Sequence, residues 1–348
     1  MRRTFETATV PLLVAAALLV AACSGGDDEA EDTTTSTRRR ASTTTSTEPV
    51  HTGAPLTGLP GDPAALTRPA LVVKYDNAPK GRPQEGINQA DVVVEEEVEG
   101  GVTRLAAIFH ATPPAQVGPV RSARSTDIVL AAPLRRPLFA YSGTNAAFQA
   151  QIDQAPLVAL PPGAVGGAYF RVGGRPAPYN LWARTDALFG AAPEGSQPPP
   201  PLFRYRGDGD PVTGDAGTRI TVEFRDRVET IAVWEWDARA GAYARTQNGT
   251  PHVDAAGDRV ATRNVIVQFT EYVNTPFVDQ SGAPVPEAEL VGEGDAVILT
   301  GGRVVHARWR RTTPEEPTTY VDREGRPVLL TRGQTWLELP RPGMASLG

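Results

Sequence analysis

The stretch that decides the fold is "ADVVVEEEVEGGVTRLAAIFHA", residues 90–111. Two β-rich runs flank Gly100 and Gly101, and a glycine pair between such runs is typical of a two-residue hairpin turn. With that turn, Glu97 lies opposite Arg104, and the complementary charges of this pair support the register. The sequence therefore predicts an antiparallel hairpin.

Side chains alternate between the two faces of a strand, so the hairpin has one predicted core face and one predicted polar face. The core face comprises Val92, Val94, Glu96, Val98, Thr103, Leu105, Ala107 and Phe109. The polar face comprises Asp91, Val93, Glu95, Glu97, Glu99, Arg104, Ile108 and His110.

The beginning of the chain indicates export. "MRR" is followed by the short apolar run "VPLLVAAALLVAAC", residues 10–23, which is typical of a secretory signal and short for a membrane span. Its end, "VAAC", resembles a bacterial lipobox, and this resemblance implies cleavage before Cys23 and lipidation of its thiol. An ordinary cleavage site beside an incidental cysteine is the alternative. We predict a lipoprotein signal peptide over residues 1–22 and an extracytoplasmic protein anchored to the bacterial cell membrane through a lipid on Cys23.

Composition predicts a disordered segment and argues against nucleic-acid binding and cysteine chemistry in the folded part. Residues 23–55 are rich in threonine, serine and charge, with little to bury, which predicts a disordered tether. The net charge of −6 and the pI of about 5.4 argue against nucleic acid as a partner. Cys23 is the only cysteine, so disulfides and a thiol nucleophile are excluded from the folded part.

Downstream patterns divide the chain into two predicted domains. The sequences "TDIVLAAPL" and "NAAFQAQIDQA" favour short helices, and "QPPPPLFRY", residues 197–205, is typical of a stiff connector. From Arg219 onward the pattern is almost wholly β. The predicted fold class is α+β, with a mixed α/β N-terminal domain over residues 56–200 and a smaller, mostly antiparallel β C-terminal domain over residues 201–348.

Three motifs, "DVVVEEEVEGGVTRLAAIFHA", "GPVRSARSTD" and "RPAPYNLW", stand in this order after the lipobox. Together they resemble the YerB family of bacterial envelope lipoproteins, which pairs an N-terminal with a C-terminal DUF3048 domain. "NVIVQFTEY", "GRVVHARWRR" and "GQTWLELP" agree with the C-terminal domain. The resemblance implies an envelope location and no known reaction. Tyr179 stands where the family often has a histidine, which argues against an obligatory acid/base there.

The family pattern and the charge pattern together select the candidate ligand-binding residues. Arg121 and Arg124 precede a predicted helix, where positive charge is disfavoured, so each needs a negative partner. Two interpretations stay open: a site for a ligand carboxylate or phosphate, or an internal ion-pair network with Glu95 and Glu99. The candidates are Asp76, Asn77, Arg82, Glu95, Glu99, Arg104, Arg121, Ser122, Arg124 and Asn180.

The predicted function is binding at the cell envelope, with an anionic or glycan ligand of the cell wall or an envelope protein as the partner. The alternative is a metal-independent hydrolase that acts on cell-wall polymers through Glu95 or Glu99, in the way that paired carboxylates act in glycosidases. No nucleophile motif and no P-loop is present, so no catalytic residue is assigned and binding is favoured over catalysis. The four histidines are scattered along the sequence, so neither a metal site nor a cofactor is predicted.

Overall fold

The computed structural model describes residues 53–225, 229–278 and 282–348. The predicted signal peptide, Cys23 and almost all of the predicted tether lie outside the described residues. Within the described ranges the chain forms twenty-four strands, three α-helices and five 3₁₀ turns, and it belongs to one compact unit. No helix in these ranges is long and apolar enough to cross a membrane.

The strands of the first half are β1 (Leu71–Asp76), β2 (Val92–Glu97), β3 (Thr103–Phe109), β4 (Gln116–Val117), β5 (Leu138–Ala140), β6 (Val158–Leu160), β7 (Tyr169–Arg171), β8 (Leu181–Arg184) and β9 (Arg204–Tyr205). Those of the second half are β10 (Asp215–Ala216), β11 (Arg219–Arg225), β12 (Glu229–Asp237), β13 (Ala242–Gln247), β14 (Thr250–Pro251), β15 (Ala261–Thr262), β16 (Asn264–Gln268), β17 (Tyr272–Val278), β18 (Pro284–Ala288), β19 (Gly292–Thr300), β20 (Arg303–Arg311), β21 (Thr319–Asp322), β22 (Leu329–Leu330), β23 (Thr335–Glu338) and β24 (Ala345–Leu347). The helices are α1 (Thr126–Ala131), α2 (Ala146–Gln154) and α3 (Thr185–Gly190).

The predicted α+β class, with a mixed α/β N-terminal domain, is wrong, because the fold is mostly β. Helices form at the two predicted places, but α1 has only six residues and α2 only nine. Pro133 lies in the 3₁₀ turn that follows α1. The spacing of apolar residues can indicate a short helix, but it does not indicate whether the helices are long enough to form a layer against the sheet. The prediction that the chain is almost wholly β from Arg219 onward is confirmed.

An eleven-stranded sheet runs through both halves of the chain. Its order is β10-β20-β19-β16-β23-β2-β3-β1-β5-β6, with β21 paired to β20. The two halves meet where β2 lies parallel to β23, with Val92 beside Thr335 and Glu95 beside Glu338. The division into domains near residue 200 stays a prediction, and the central sheet crosses that boundary.

The predicted hairpin forms from β2 and β3, but its register differs by one residue. The loop is the three-residue turn Glu99–Gly101, closed by a hydrogen bond from the Val98 N–H to the Val102 carbonyl at 2.8 Å. Gly100 and Gly101 have φ values of 74° and 77°, which glycine adopts without a steric penalty. Arg104 consequently lies opposite Glu96, and the predicted partner Glu97 lies opposite Thr103.

Both faces of the hairpin are buried, and their predicted membership is wrong, because the shifted register puts Arg104 on the face of Glu96 and Leu105 on the face of Glu95. On one side the six-stranded sheet β14-β13-β12-β11-β24, with β15 paired to β13, packs against the long sheet, so that Val222 and Trp234 share a core with Val93. On the other side α1, α2 and the β17–β18 pair cover the sheet, and Phe148 shares a core with Val94. A charged side chain on β2 therefore needs a partner inside the protein.

Candidate functional site

Polar and charged residues around the end of β2 form three groups. Consecutive side chains of a strand point to opposite faces of the sheet, so one group lies on one face and the other two lie on the opposite face. The inter-sheet network consists of Asn77, Gln84, Glu95, Thr103, Arg245, Gln247, His252 and Glu338. The lysine triad consists of Lys74, Glu96 and Asp127. The arginine cluster consists of Asp76, Glu99, Arg104, Arg121, Ser122 and Arg124.

The inter-sheet network centres on an ion pair with no solvent exposure. Arg245 Nη2 donates to Glu95 Oε2, and both side chains are 0% exposed. The other Glu95 oxygen accepts from Asn77 Nδ2 at 2.8 Å and from Thr103 Oγ1 at 2.6 Å. The guanidinium carbon of Arg245 also lies 5.2 Å from the ring centre of Trp336, within the range of a cation–π interaction. The buried charges of Glu95 and Arg245 are thus balanced inside the protein.

Glu338 brings a second carboxyl into the same network. Burial, and next the negative charge of Glu95, raise the pKa of Glu338 well above its usual value. Trp234 Nε1 donates to Glu338 Oε1 at 2.8 Å. The raised pKa favours the neutral form of Glu338, which lessens the repulsion between the two carboxyls beside Arg245.

His252 joins the network in one defined tautomer. Its Nδ1 lies 2.9 Å from Arg245 Nη1, and its Nε2 lies 2.8 Å from Gln84 Oε1. A guanidinium only donates hydrogen bonds, so Nδ1 is the acceptor and the ring proton is assigned to Nε2. Burial, followed by the positive charge of Arg245, lowers the pKa of His252 well below its usual value. His252 is thus a neutral part of the contact between the sheets.

The lysine triad lies on the opposite face of β2, also fully buried. Lys74 Nζ bonds to Glu96 and, at 2.7 Å, to Asp127 Oδ1 of α1. The second oxygen of Asp127 accepts the backbone N–H of Arg124 at 2.7 Å, which ties the first turn of α1 to the preceding loop. Burial raises the pKa of the Glu96 carboxyl against the opposing effect of the Lys74 charge.

The arginine cluster lies beside this triad and reaches solvent. Arg121 Nε is 2.5 Å from Asp76 Oδ2, and Arg124 Nη2 donates to Glu99 Oε2 at 2.8 Å. The side chain of Arg121 is 23% exposed and that of Arg124 is 13% exposed, whereas Arg104 is buried beneath them. Of the predicted internal network, the pair of Arg124 with Glu99 forms. Arg121 instead bonds Asp76, because Glu95 points to the other face.

Arg104 is the member of the arginine cluster that makes no ion pair with a described residue. On β3 it lies opposite Asp76 of β1 and Glu96 of β2, but its side chain donates only to the Ser122 carbonyl, at 3.0 Å. Among the residues that the structure describes, no carboxylate lies within ion-pair distance of Arg104. Burial, and next the charge of Arg124, lower its pKa to about 9, so Arg104 is still positive at neutral pH. Three guanidiniums thus share two carboxylates.

The remaining candidate residues lie elsewhere. Asn77 and Glu95 belong to the inter-sheet network. Arg82, in the loop after β1, makes no hydrogen bond or ion pair with any described residue, and its Nε is buried. Asn180 lies outside all three groups, and its Oδ1 accepts from Arg171 Nη1 at 2.6 Å.

Sequence reasoning missed the partners that balance the buried charges. In β13, Arg245 stands two residues from Tyr243 and two from Gln247, and these three alternate positions are buried. That period of two was a readable signal that Arg245 points inward. Lys74 was also conspicuous, as one of two lysines in an arginine-rich chain.

A separate cavity of about 340 Å³ opens beside the hairpin loop. Its two arginines are already paired, Arg341 with Glu97 at 2.8 Å and Arg225 with Glu229 at 2.8 Å. The cavity therefore lacks the uncompensated positive charge of the arginine cluster. Its lining consists of Glu97, Val98, Gly100, Arg225, Asn274, Ala283, Pro284, Pro286 and Arg341.

Two family models match successive parts of the chain. The family model described as "Protein of unknown function (DUF3048) N-terminal domain" matches residues 56–196, and the corresponding C-terminal domain matches residues 220–337. The chain belongs to the YerB-like family of bacterial lipoproteins, which contains both domains. The resemblance found in the sequence motifs is confirmed.

One relative has both a curated sequence and a solved structure. "Putative lipoprotein YerB" of Bacillus subtilis (strain 168) is 27% identical over 301 residues, which cover 82% of this chain and 85% of the relative. The crystal structure of the YerB protein from Bacillus subtilis matches with a TM-score of 0.73 and 25% identity, covering 85% of this chain and 99% of that one.

The Glu95–Arg245 pair leads to a stability prediction. In Arg245→Met, Glu95 keeps a buried charge without its balance, so the free energy of unfolding is expected to fall by about 3 to 5 kcal/mol. The double variant Glu95→Gln/Arg245→Met removes both charges and is expected to recover part of that loss. Guanidinium chloride unfolding of all four members of the cycle measures the coupling. A loss below about 1 kcal/mol in Arg245→Met would contradict it.

His252 leads to a prediction about pH. Its folded-state pKa lies well below the 6.5 of a free histidine, so below pH 6.5 the unfolded chain takes up a proton that the folded chain refuses. The free energy of unfolding is expected to fall by up to about 1.4 kcal/mol per pH unit from this group as pH decreases from 6.5.

Chemical denaturation between pH 7 and pH 5 measures the free energy of unfolding against pH. His252→Gln removes the contribution of His252 to that slope, while the other groups titrate in both proteins. His306→Gln, at a half-buried position on β20, is the matched control. Equal slopes in the wild type and His252→Gln would rule out the assigned neutral state.

Proposed function

We propose that this lipoprotein binds an anionic ligand of the cell envelope at the arginine cluster. The ligand presents carboxylate or phosphate groups and belongs to a wall polymer, a glycan or a partner protein. The observation that supports this proposal most directly is Arg104, whose positive charge has no carboxylate partner within the described part of the chain.

The chemistry of the cluster suits such a ligand. A guanidinium presents several N–H groups in one plane, which match two oxygens of a carboxylate or phosphate. Arg121 and Arg124 lie near Arg104 and are partly exposed, so an incoming anion meets N–H donors that already face solvent. Asp76 and Glu99 hold these two arginines in place and leave the net charge of the cluster positive.

In this proposal the site lies outside the cell, in line with the export signal predicted from the sequence. In this proposal residues 1–22 direct export, and a lipid on Cys23 anchors the mature protein to the membrane. The tether predicted from the composition after Cys23 would hold the folded part within reach of wall polymers. The naming of the Bacillus relative as a putative lipoprotein supports this anchor.

The geometry does not favour the hydrolase alternative. Paired catalytic carboxylates flank one scissile bond. Glu95 and Glu99 instead belong to different groups, with Glu95 fully buried on β2 and Glu99 in the turn that follows it. Each already accepts hydrogen bonds from an arginine.

The anchor has a direct test. Replacing Cys23 by serine removes the thiol that would carry the lipid, so the protein is expected to move from the membrane fraction to the soluble fraction of the envelope. Fractionation followed by immunoblotting measures this shift, with the wild type expressed at the same level for comparison. A Cys23→Ser protein that stays in the membrane fraction would show that another feature anchors the chain.

The binding site has its own test, with inorganic phosphate and citrate as probes for the full chain in detergent micelles. Arg104→Gln is expected to weaken binding about 10- to 100-fold, the worth of one charge-assisted hydrogen-bond set of about 1.5 to 3 kcal/mol. Arg104→Lys keeps the charge and loses the planar geometry, so its affinity should be intermediate.

Arg308→Gln is the matched control, since it removes the same charge from an exposed surface pair on β20. Isothermal titration calorimetry gives the affinities, and thermal unfolding reports whether each variant is folded. Wild-type affinity in a folded Arg104→Gln protein would refute the proposed site.

A further inference from the structure

The cation of the lysine triad is a lysine in a chain that otherwise uses arginine. The sequence has 34 lysines and arginines, and Lys74 and Lys80 are the only lysines among them. Lys80 is exposed, whereas the side chain of Lys74 is fully buried. A guanidinium stays protonated in proteins, whereas the amine of a lysine can lose a proton and act as a nucleophile. Position 74 therefore brings a nucleophile into the interior of the protein.

Sheet pairing and backbone hydrogen bonds hold the triad in place. Lys74 and Glu96 lie on the two strands that flank β3, and the small side chain of Ala106, opposite Lys74 on β3, leaves room for the lysine to cross the sheet surface. The loop before α1 is attached to β1 at the same residue, because the Arg121 N–H donates to the Lys74 carbonyl at 2.8 Å. Asp127, in the first turn of α1, is thereby held against Lys74 Nζ.

One amine and two carboxyls thus meet in a place shielded from solvent. All three side chains of the triad are 0% exposed, and Val72, Val94 and Ala106 belong to the apolar core on the same face of the sheet. Groups that are held in contact react as if their concentration were far above any that is reached in solution. Condensation of an amine with a carboxyl releases water, so a site that excludes water also protects the amide from hydrolysis.

The hydrogen bonds of the two carboxyls assign them different roles. Asp127 Oδ1 lies 2.7 Å from Lys74 Nζ, and Asp127 Oδ2 accepts the Arg124 N–H at 2.7 Å. A backbone N–H in that position stabilises the negative charge that develops on a carboxyl oxygen when its carbon is attacked.

Glu96 is suited to move protons. Its Oε1 bonds to Lys74 Nζ, and its Oε2 is buried and has no hydrogen-bond partner among the described residues. Burial raises the pKa of the Glu96 carboxyl, against the opposing effect of the Lys74 charge. A carboxyl with a raised pKa can hold a proton and pass it on near neutral pH.

We propose that Lys74 and Asp127 condense to an intramolecular amide, with Glu96 as the proton relay. Lys74 Nζ attacks Cγ of Asp127, so that the N–C bond forms and the bond between Cγ and Oδ1 breaks. The ammonium and the carboxylate together give a neutral amide and one water molecule. The two protons that Nζ loses both reach Oδ1, one of them through Glu96, which ends in its initial protonation state. Nothing is oxidised or reduced.

The amide would join β1 to α1 covalently, between residues that are 53 positions apart. It would provide a cross-link in a protein whose only cysteine is Cys23, so that no disulfide can form within the chain. The modification needs only the folded chain, so it goes beyond the proposed function and does not depend on ligand binding.

Mass spectrometry of the purified full chain in detergent micelles tests the amide. The folded wild type is expected to be lighter by one water molecule than its sequence, with any lipid on Cys23 included. After denaturation and trypsin digestion, the chain should stay uncleaved at Lys74 and give one branched peptide that joins the segments of Lys74 and Asp127. Cleavage at Lys80 should be normal, and Lys80→Arg, the matched control, should still lose the water.

Three variants test the assigned roles. Lys74→Met and Asp127→Ala are expected to have the full mass of their sequences. Glu96→Gln keeps the shape of the side chain without its acid group, so after the same expression time it should contain at least about ten-fold less branched peptide than the wild type. Circular dichroism shows whether each variant is folded. The wild-type digest decides the proposal even if Asp127→Ala fails to fold.

Several results would overturn the inference. A folded wild-type protein with the full mass of its sequence would refute the amide. A loss of water after which the two segments separate on digestion would refute it as well, because the dehydration then lies within one segment. A link from Lys74 to Glu96 would contradict the role of Asp127, and a fully linked Glu96→Gln protein would contradict the proton relay.

Discussion

The buried ion pair between Glu95 and Arg245 is the constraint to which the rest of the interior conforms. It joins the central strand of the long sheet to a strand of the sheet packed against it, with both side chains out of water. An unbalanced charge in that position would destabilise the fold, so the neighbouring groups add no further charge to this pair. The pKa of Glu338 is raised and that of His252 is lowered, so both shifts favour the neutral form, and two tryptophan rings flank the guanidinium.

On the other face of the same strand, the lysine triad is fully buried, whereas the arginine cluster is partly exposed to solvent. In the lysine triad every charged side chain is buried and bonded to its partner. In the arginine cluster the acids Asp76 and Glu99 position two arginines, and Arg104 makes no ion pair with a described residue. Charge that is paired and buried stabilises the fold, whereas a charge held in place without an ion-pair partner is suited to recognition.

The sequence predicted the elements near the hairpin better than their partners. The glycine pair identified the turn, and alternation identified the charged positions, because both depend on neighbouring residues. The register was wrong, since a glycine pair also fits a three-residue turn, and the predicted polar face proved to be buried. The partner of Glu95 lies 150 residues away on another sheet. Local periodicity says that a side chain points inward, but it contains no information about which distant strand packs there.

The parallel pairing of β2 with β23 also has a consequence for how the chain is completed. One of these strands belongs to the first third of the sequence and the other lies close to the C-terminus. A protein that emerges from a ribosome or a translocation channel presents β2 long before β23 exists, and for that interval β2 has an open edge. Open edges invite pairing with other chains, and charged side chains discourage it. The consecutive glutamates at positions 95–97 thus discourage pairing of β2 with other chains before β23 is made. In the folded protein they form ion pairs with Arg245, Lys74 and Arg341.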